Sequence, residues 1–185
     1  MARIAENLKE GHAIFTEPPL PIKCAGAPQK ILYLWTDKWN QQKRPVDVEF
    51  MKTGGVMFGV PKYSTALTSV AQDHGIKTNF KHKLIKVQGN EATFELTDTC
   101  ETVTRKFDLL HVVPPMGAHP YISESGLADA DGYLDCDKHT LRHNKYSNIW
   151  GIGDCTSLPC SKTAAAIFSE TEALNEYFSF HSAIF

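Results

Sequence analysis

Apolar and polar positions along the chain change period several times, and each change marks an element. Residues 2–9 predict a short helix that Gly11 ends, and Ala13-Ile14-Phe15 reads as an apolar strand. The run Glu17-Pro-Pro-Leu-Pro-Ile22 blocks regular structure, because each proline fixes φ and lacks a donor N–H. Ile31, Leu34, Trp35 and Trp39 recur at helical spacing and predict a helix over 28–42, with Pro28 tolerated in its first turn. A strand over 46–51 completes a β–loop–α–β unit, which closes as a right-handed parallel crossover. After the glycine turn at 54, 55 and 59, a helix over 63–73 has Ala66, Leu67 and Val70 as its inner face and Gly75 as its stop.

A strand over 76–80 follows. Segments 83–88, 92–97 and 102–106 then alternate apolar and polar side chains about Gly89-Asn90, the signature of an antiparallel meander. Residues 107–113 form a more apolar strand that stops at Pro114-Pro115. Short strands over 133–136 and 148–152 and a long Ala-rich helix over 163–180 complete the reading. The fold class is α/β, with Rossmann-like βαβ units and an inserted antiparallel meander, as in dinucleotide-binding domains of two-domain flavoproteins.

Composition narrows the function. Of 185 residues, 42% are hydrophobic and 22% charged, enough for one good core or two small ones. A formal charge of −2 with scattered Lys and Arg argues against a nucleic-acid partner. No apolar run approaches the roughly 20 residues that span a bilayer, and Glu6 and Glu10 do not suit a transit peptide, so none is expected in this chain. Five cysteines at irregular spacing suggest neither a disulfide framework nor a paired zinc motif, and reduced thiols are expected. His139 and His143 are the only i, i+4 histidine pair. Their Lys-rich surroundings predict a solvated turn, and no metal site is expected. Cys100 and Cys136, in polar segments, read as incidental.

Two stretches carry candidate chemistry. Asn148-Ile-Trp-Gly-Ile-Gly-Asp154-Cys-Thr places Gly-x-Gly-Asp at the carboxyl end of a strand, the edge where open α/β sheets bind ligands. Asp154 there can accept hydrogen bonds from sugar-like hydroxyls. The helix that starts near Ser161-Lys162-Thr163 points free N–H groups at negative charge above it. The plainer alternative is a strand-to-helix connection with Asp154 as a cap. The second stretch is Ile22-Lys-Cys24-Ala-Gly-Ala-Pro-Gln-Lys30, where a nicotinamide domain would carry Gly-x-Gly-x-x-Gly. Beside a helix start, between Lys23 and Lys30, the Cys24 thiol is expected to favour its nucleophilic thiolate; the alternative is a small buried hydrophobe.

Lys23-Cys-Ala-Gly-Ala-Pro-Gln-Lys30, Phe58-Gly-Val60, Leu110-His-Val-Val-Pro-Pro-Met116 and Gly151-Ile-Gly-Asp-Cys-Thr-Ser-Leu-Pro-Cys-Ser-Lys-Thr-Ala-Ala-Ala166 together resemble the animal and fungal sulfide:quinone oxidoreductases. The resemblance covers nearly the whole chain. It implies an FAD enzyme of the mitochondrial inner membrane, peripherally attached, that passes electrons from hydrogen sulfide through a cysteine persulfide and FAD to ubiquinone. The sulfur goes to an acceptor such as glutathione or sulfite.

By the same resemblance, Cys24 matches the cysteine facing the flavin, and Gly153 and Asp154 the ribityl turn. Lys162, Thr163 and Ala164 match the helix start beneath the isoalloxazine, Lys30 the flavin side, and Pro115 with Met116 the quinone side. It divides the chain into a nicotinamide-domain-like part (1–115) and a return into the FAD domain (116–185). The FAD pyrophosphate loop and the partner cysteine have no match; Cys155 does not correspond to that partner, and Cys160 stands where a threonine-like residue is expected. Two other readings stay open: a non-catalytic remnant or interaction module of the same fold, and a nicotinamide-dependent disulfide reductase, against which the Cys24 loop argues.

Overall fold

The structure, a computed structural model, describes residues 1–182 and divides them into two compact units. The first comprises Met1–Leu20 and Ala25–Pro115, the second Pro21–Cys24 and the chain from Met116 onward.

In the first unit, strands β1 (Gly11–Glu17), β2 (Val46–Lys52), β3 (Lys77–Phe80) and β7 (Leu109–His111) form a parallel sheet in the order β3-β2-β1-β7. Helix α1 (Ala2–Asn7) precedes β1, and α2 (Ala27–Gln41) and α3 (Pro61–Asp73) supply the β1–β2 and β2–β3 crossovers. Alternation along β1 serves two cores. Ala13 and Phe15 join Leu32, Trp39, Val48 and Phe50, whereas Ile14 joins Met51, Ala92 and Phe94. The second group belongs partly to an antiparallel sheet of β4 (His82–Gln88), β5 (Glu91–Leu96) and β6 (Thr102–Lys106), turned at Gly89 with its φ of 59°. Burial on both faces explains the continuous apolar run in β1.

The βαβ unit and the meander follow the sequence reading, and the expected inner face of α3 holds only at Leu67. In α2 the buried positions are Pro28, Gln29, Leu32, Thr36 and Trp39, and Leu34 is 68% exposed. In α3 the inward residues are Leu67 and Ala71, with Ala66 and Val70 exposed. Ile31, Tyr33 and Trp35 of α2 pack partly buried against the same core. The expected strand over 107–113 shrinks to β7. Asp108 turns its carboxylate onto the His12 N–H at 2.7 Å, and Val113 donates its N–H to Thr16 Oγ1, so side chains take the flanking ladder positions.

The second unit holds α4 (Pro120–Ser123), a short turn at Gly153–Cys155 and α5 (Ala164–Ser182). Its core is Ile122, Leu134, Cys136, Leu141 and Leu158. The strands expected over 133–136 and 148–152 are only isolated bridges, Leu134 with Ala128 and Thr156, Cys136 with His143, and Trp150 with Arg142. Asp129 accepts the N–H groups of Asp131 and Tyr133, and Asp137 those of His139 and Thr140, so carboxylates compete for donors a ladder would use. His143 departs from the expected solvated turn. It is buried, with Nε2 against the Leu127 carbonyl at 2.9 Å and Nδ1 accepting the Lys145 N–H. Among the described residues no helix is long and apolar enough to cross a membrane.

Candidate functional site

The residues that carry the strongest motifs meet within the second unit. Pro18 and Pro19 end β1, and the chain then enters the second unit as the four-residue strap Pro21–Cys24. The strap is anchored twice. The Lys23 N–H points to Met116 Sδ at 3.1 Å, and the Cys24 N–H donates to the Lys162 carbonyl at 2.6 Å. Cys24 adopts a φ of 55°, a left-handed conformation that costs a residue with a Cβ about 1–2 kcal/mol. The anchoring bonds hold a partly exposed thiol at the start of α5.

The Gly-x-Gly-Asp turn packs against the same helix, through Ile167 and Glu170. A Cβ on Gly151 would collide with Leu134 and stand 2.9 Å from Thr156 Cγ2; one on Gly153, whose φ is 77°, would meet Ile167 at 3.1 Å. Internal packing and backbone conformation require both glycines. Asp154 is not a helix cap, since Thr163 Oγ1 accepts the Ala166 N–H at 3.1 Å and fills that role. The carboxylate of Asp154 is partly exposed and makes no hydrogen bond or ion pair recorded among the described residues. Such an uncommitted acceptor fits the hydroxyls of a ribityl chain. Lys162 turns its ammonium onto the Leu158 carbonyl at 2.8 Å, and Ala164 is exposed at the helix start.

Glu170 escaped the sequence reading. One carboxylate oxygen accepts the Gly153 N–H at 2.6 Å and the other lies 3.1 Å from the Cys160 thiol, which ties the turn to α5. Burial first, then this carboxylate, pushes the Cys160 thiol up. Cys160 edges a hollow of about 310 Å³ shared with Lys138, His139 and Leu158. Nothing local in the sequence marks the pair, which a helical turn and a loop bring together.

No family model matches the chain. It is 45% identical over 175 residues to the mitochondrial sulfide:quinone oxidoreductase of Mus musculus, across 92% of this chain and 39% of that protein. Against the enzyme of the same name from Dictyostelium discoideum the identity is 46% over 175 residues, covering 91% and 38%. The chain is homologous to a segment of the mitochondrial sulfide:quinone oxidoreductases. It spans about two-fifths of the length of these relatives. The fold agrees. The sulfide:quinone oxidoreductase of Aquifex aeolicus superposes with a TM-score of 0.76 at 14% identity, over 99% of this chain and 46% of that one. A flavoprotein disulfide reductase of Escherichia coli superposes at 0.62 with 12% identity, over 91% and 35%.

Against the sulfide:quinone oxidoreductase motifs, the remaining candidates divide. Met116 is tied to the strap that bears Cys24, while Lys30, exposed in the first turn of α2, and Pro115 belong to the first unit. The other cysteines are unlike one another. Cys136, expected to be incidental in a polar segment, is a core residue whose thiol burial pushes up to about 11; Cys155 points its thiol at the Ile152 carbonyl, and Cys100 is exposed. His111, in the Leu-His-Val-Val motif, stacks on Phe15 at 5.6 Å and is held below its ordinary value by burial, hence neutral.

In the first unit, Glu17 and Lys52 end paired strands β1 and β2 and form a buried ion pair. Between the ends of β1 and β7, where such sheets bind nucleotides, the hollow bounded by Glu17, Pro18, Pro19 and Val112 holds only about 50 Å³.

Proposed function

We propose that this chain is the redox-cysteine part of a mitochondrial sulfide:quinone oxidoreductase, and that Cys24 is its sulfur-carrying residue. The carrying observation is the 2.6 Å bond from the Cys24 N–H to the Lys162 carbonyl, which joins the two motifs of the resemblance inside one compact unit. Hydrosulfide attacks the oxidised cysteine pair, the S–S bond breaks, and one cysteine keeps the added sulfur as a persulfide while the other leaves as a thiolate. The persulfide sulfur leaves to a nucleophilic acceptor such as glutathione or sulfite. Once the outer sulfur has been passed on, both cysteines are thiolates, and re-forming their S–S bond releases the electron pair that FAD, held at Asp154 and the start of α5, would take up for ubiquinone.

The chain's own residues have distinct tasks in this reading. Cys24 carries the sulfur, and its strap fixes where the thiol stands. Asp154 accepts from the ribityl hydroxyls, with Gly153 shaping the turn. Thr163 opens α5 so that the free N–H groups at Ala164, with Lys162 beside them, favour negative charge on the flavin. Lys30 serves the flavin side, and Pro115 with Met116 the quinone side. The division into a nicotinamide-domain-like unit and an FAD-domain return belongs to the same proposal, as does peripheral attachment to the mitochondrial inner membrane.

A nicotinamide donor is disfavoured by the first unit. No glycine-rich loop follows β1, where prolines stand instead.

The test is flavin binding followed by sulfide addition to the protein, with Cys24→Ser beside it. Set within a full-length sulfide:quinone oxidoreductase, the wild-type segment is expected to bind FAD and to let sulfide bleach its visible absorbance, and Cys24→Ser to bind FAD and stay yellow; the segment alone, which has no match for the pyrophosphate loop or the partner cysteine, is expected to be inactive. A protein that binds FAD but bleaches equally after Cys24→Ser overturns the role of Cys24. One that binds no FAD favours the remnant reading of the same fold.

A further inference from the structure

We propose that His12, Asp47 and Glu49 form a binding site for one zinc-type divalent cation, at the amino end of the parallel sheet and remote in sequence from every motif used above. The parallel register of β1 and β2 sets His12 beside Asp47, and Glu49 follows on the same face. One ligand atom from each of the three lies within 4.8 Å of the other two. Ligand atoms at the roughly 2.0–2.2 Å bond lengths of tetrahedral zinc stand about 3.3–3.6 Å apart. His12 Nε2 and Glu49 Oε1 are already 3.4 Å apart.

The second observation concerns the imidazole. His12 Nδ1 lies 2.7 Å from the Lys106 carbonyl, which only accepts, so Nδ1 carries the hydrogen and Nε2, facing Glu49 Oε1, is the ring's ligand atom. That Nε2 is buried and has no hydrogen-bond partner. A backbone carbonyl behind one ring nitrogen and a bare lone pair at the other is the arrangement that orients a metal-ligating histidine.

The outer carboxylate oxygens are engaged elsewhere. Lys77 Nζ holds Asp47 Oδ2 at 2.7 Å, Asn79 Nδ2 holds Glu49 Oε2 at 3.2 Å, and Arg105 Nε stands 3.9 Å from the same Oε2. These contacts fix both carboxylates and leave one oxygen of each for the ion. One imidazole and two carboxylates suit zinc, with a fourth position open to water. The ion links β1 to β2 and, through the Lys106 carbonyl, to β6. It is therefore a structural brace between the two sheets, and it does not depend on the sulfide chemistry.

The test is Zn²⁺ titration of the whole chain against a chromophoric chelator, paired with the Co²⁺ spectrum and with thermal midpoints with and without Zn²⁺. Wild type is expected to bind one equivalent, to show weak visible Co²⁺ bands without strong near-ultraviolet thiolate absorption, and to melt higher with Zn²⁺. His12→Gln and Glu49→Gln are expected to weaken binding at least tenfold and to abolish the melting shift. Asp47→Asn, at a half-exposed position, keeps the comparison valid should either of those fail to fold. Unchanged affinity in the variants, thiolate absorption with Co²⁺, or no stoichiometric uptake by wild type overturns the site.

Discussion

At the scale of single residues, the Glu17–Lys52 pair decides most about the first unit. Both side chains are more than nine-tenths buried, and Glu17 Oε2 has no partner. Burial raises the Glu17 carboxyl above its ordinary value near 4.5, while the hydrogen bond and charge of Lys52 pull it part of the way back. Removing one member of such a pair strands the other, so Lys52→Met is expected to cost about 3–5 kcal/mol, and adding Glu17→Gln to recover most of it. The pH dependence has a definite sign. A raised folded-state value means that the folded chain holds this proton more tightly than the unfolded chain. Its contribution is fully present below the ordinary carboxyl value and is lost as pH rises through the folded one. Urea midpoints of wild type and Glu17→Gln, compared from acid to neutral pH, should diverge in favour of Gln across that window. Parallel profiles would show that Glu17 titrates normally.

At the scale of elements, the glycine turn shows how packing constrains the sequence. Gly153 combines a φ of 77° with Ile167 at 3.1 Å from any added Cβ, and Gly151 faces Leu134 and Thr156. Gly153→Ala is expected to lose about 1–2 kcal/mol from backbone conformation, and Gly151→Ala about 1–3 kcal/mol from overpacking. Urea unfolding followed by circular dichroism measures both, and a cost near zero at Gly151 would mean that Leu134 can move aside. The elements of the first unit were legible because prolines and glycines punctuate sharp changes of period, as at Pro18 and Gly75. Faces were less legible. Helical spacing alone does not tell that Leu34 is exposed while Thr36 is buried, its hydroxyl bonded to the Leu32 carbonyl at 2.8 Å. The strand-like run near Leu134 misled for another reason, since the Asp129 carboxylate captures the Tyr133 N–H that period alone assigns to a ladder. Of the candidate site, Cys24, Met116 and Lys162 were named from motifs and do converge. Glu170, His12 and Glu49 were not, because only tertiary register gives them partners.

At the scale of the whole molecule, two cores of unequal quality share one chain. The first unit rests on continuous ladders and on a core built around Phe15, Trp39 and Phe50, each almost wholly buried. The second has isolated bridges, aspartate-capped turns and a smaller apolar cluster, with Phe168 on α5 left 73% exposed. Fewer buried apolar side chains and more solvent-facing hydrogen bonds lower the free energy of local opening. The second unit is therefore expected to open at lower denaturant than the first. The tryptophans divide to report it: Trp35 and Trp39 lie in the first unit, and Trp150 packs on Phe178 at 4.9 Å in the second. The difference between wild-type and Trp150→Phe fluorescence isolates the second unit's transition, which should precede the change that remains in the variant. Helical ellipticity from α5 should fall with the earlier step. Superimposable curves would instead mean that the strap at Pro21–Cys24 and the chain at Pro115 couple the units into one cooperative block, and that the thiol of Cys24 is held as firmly as the sheet it leaves.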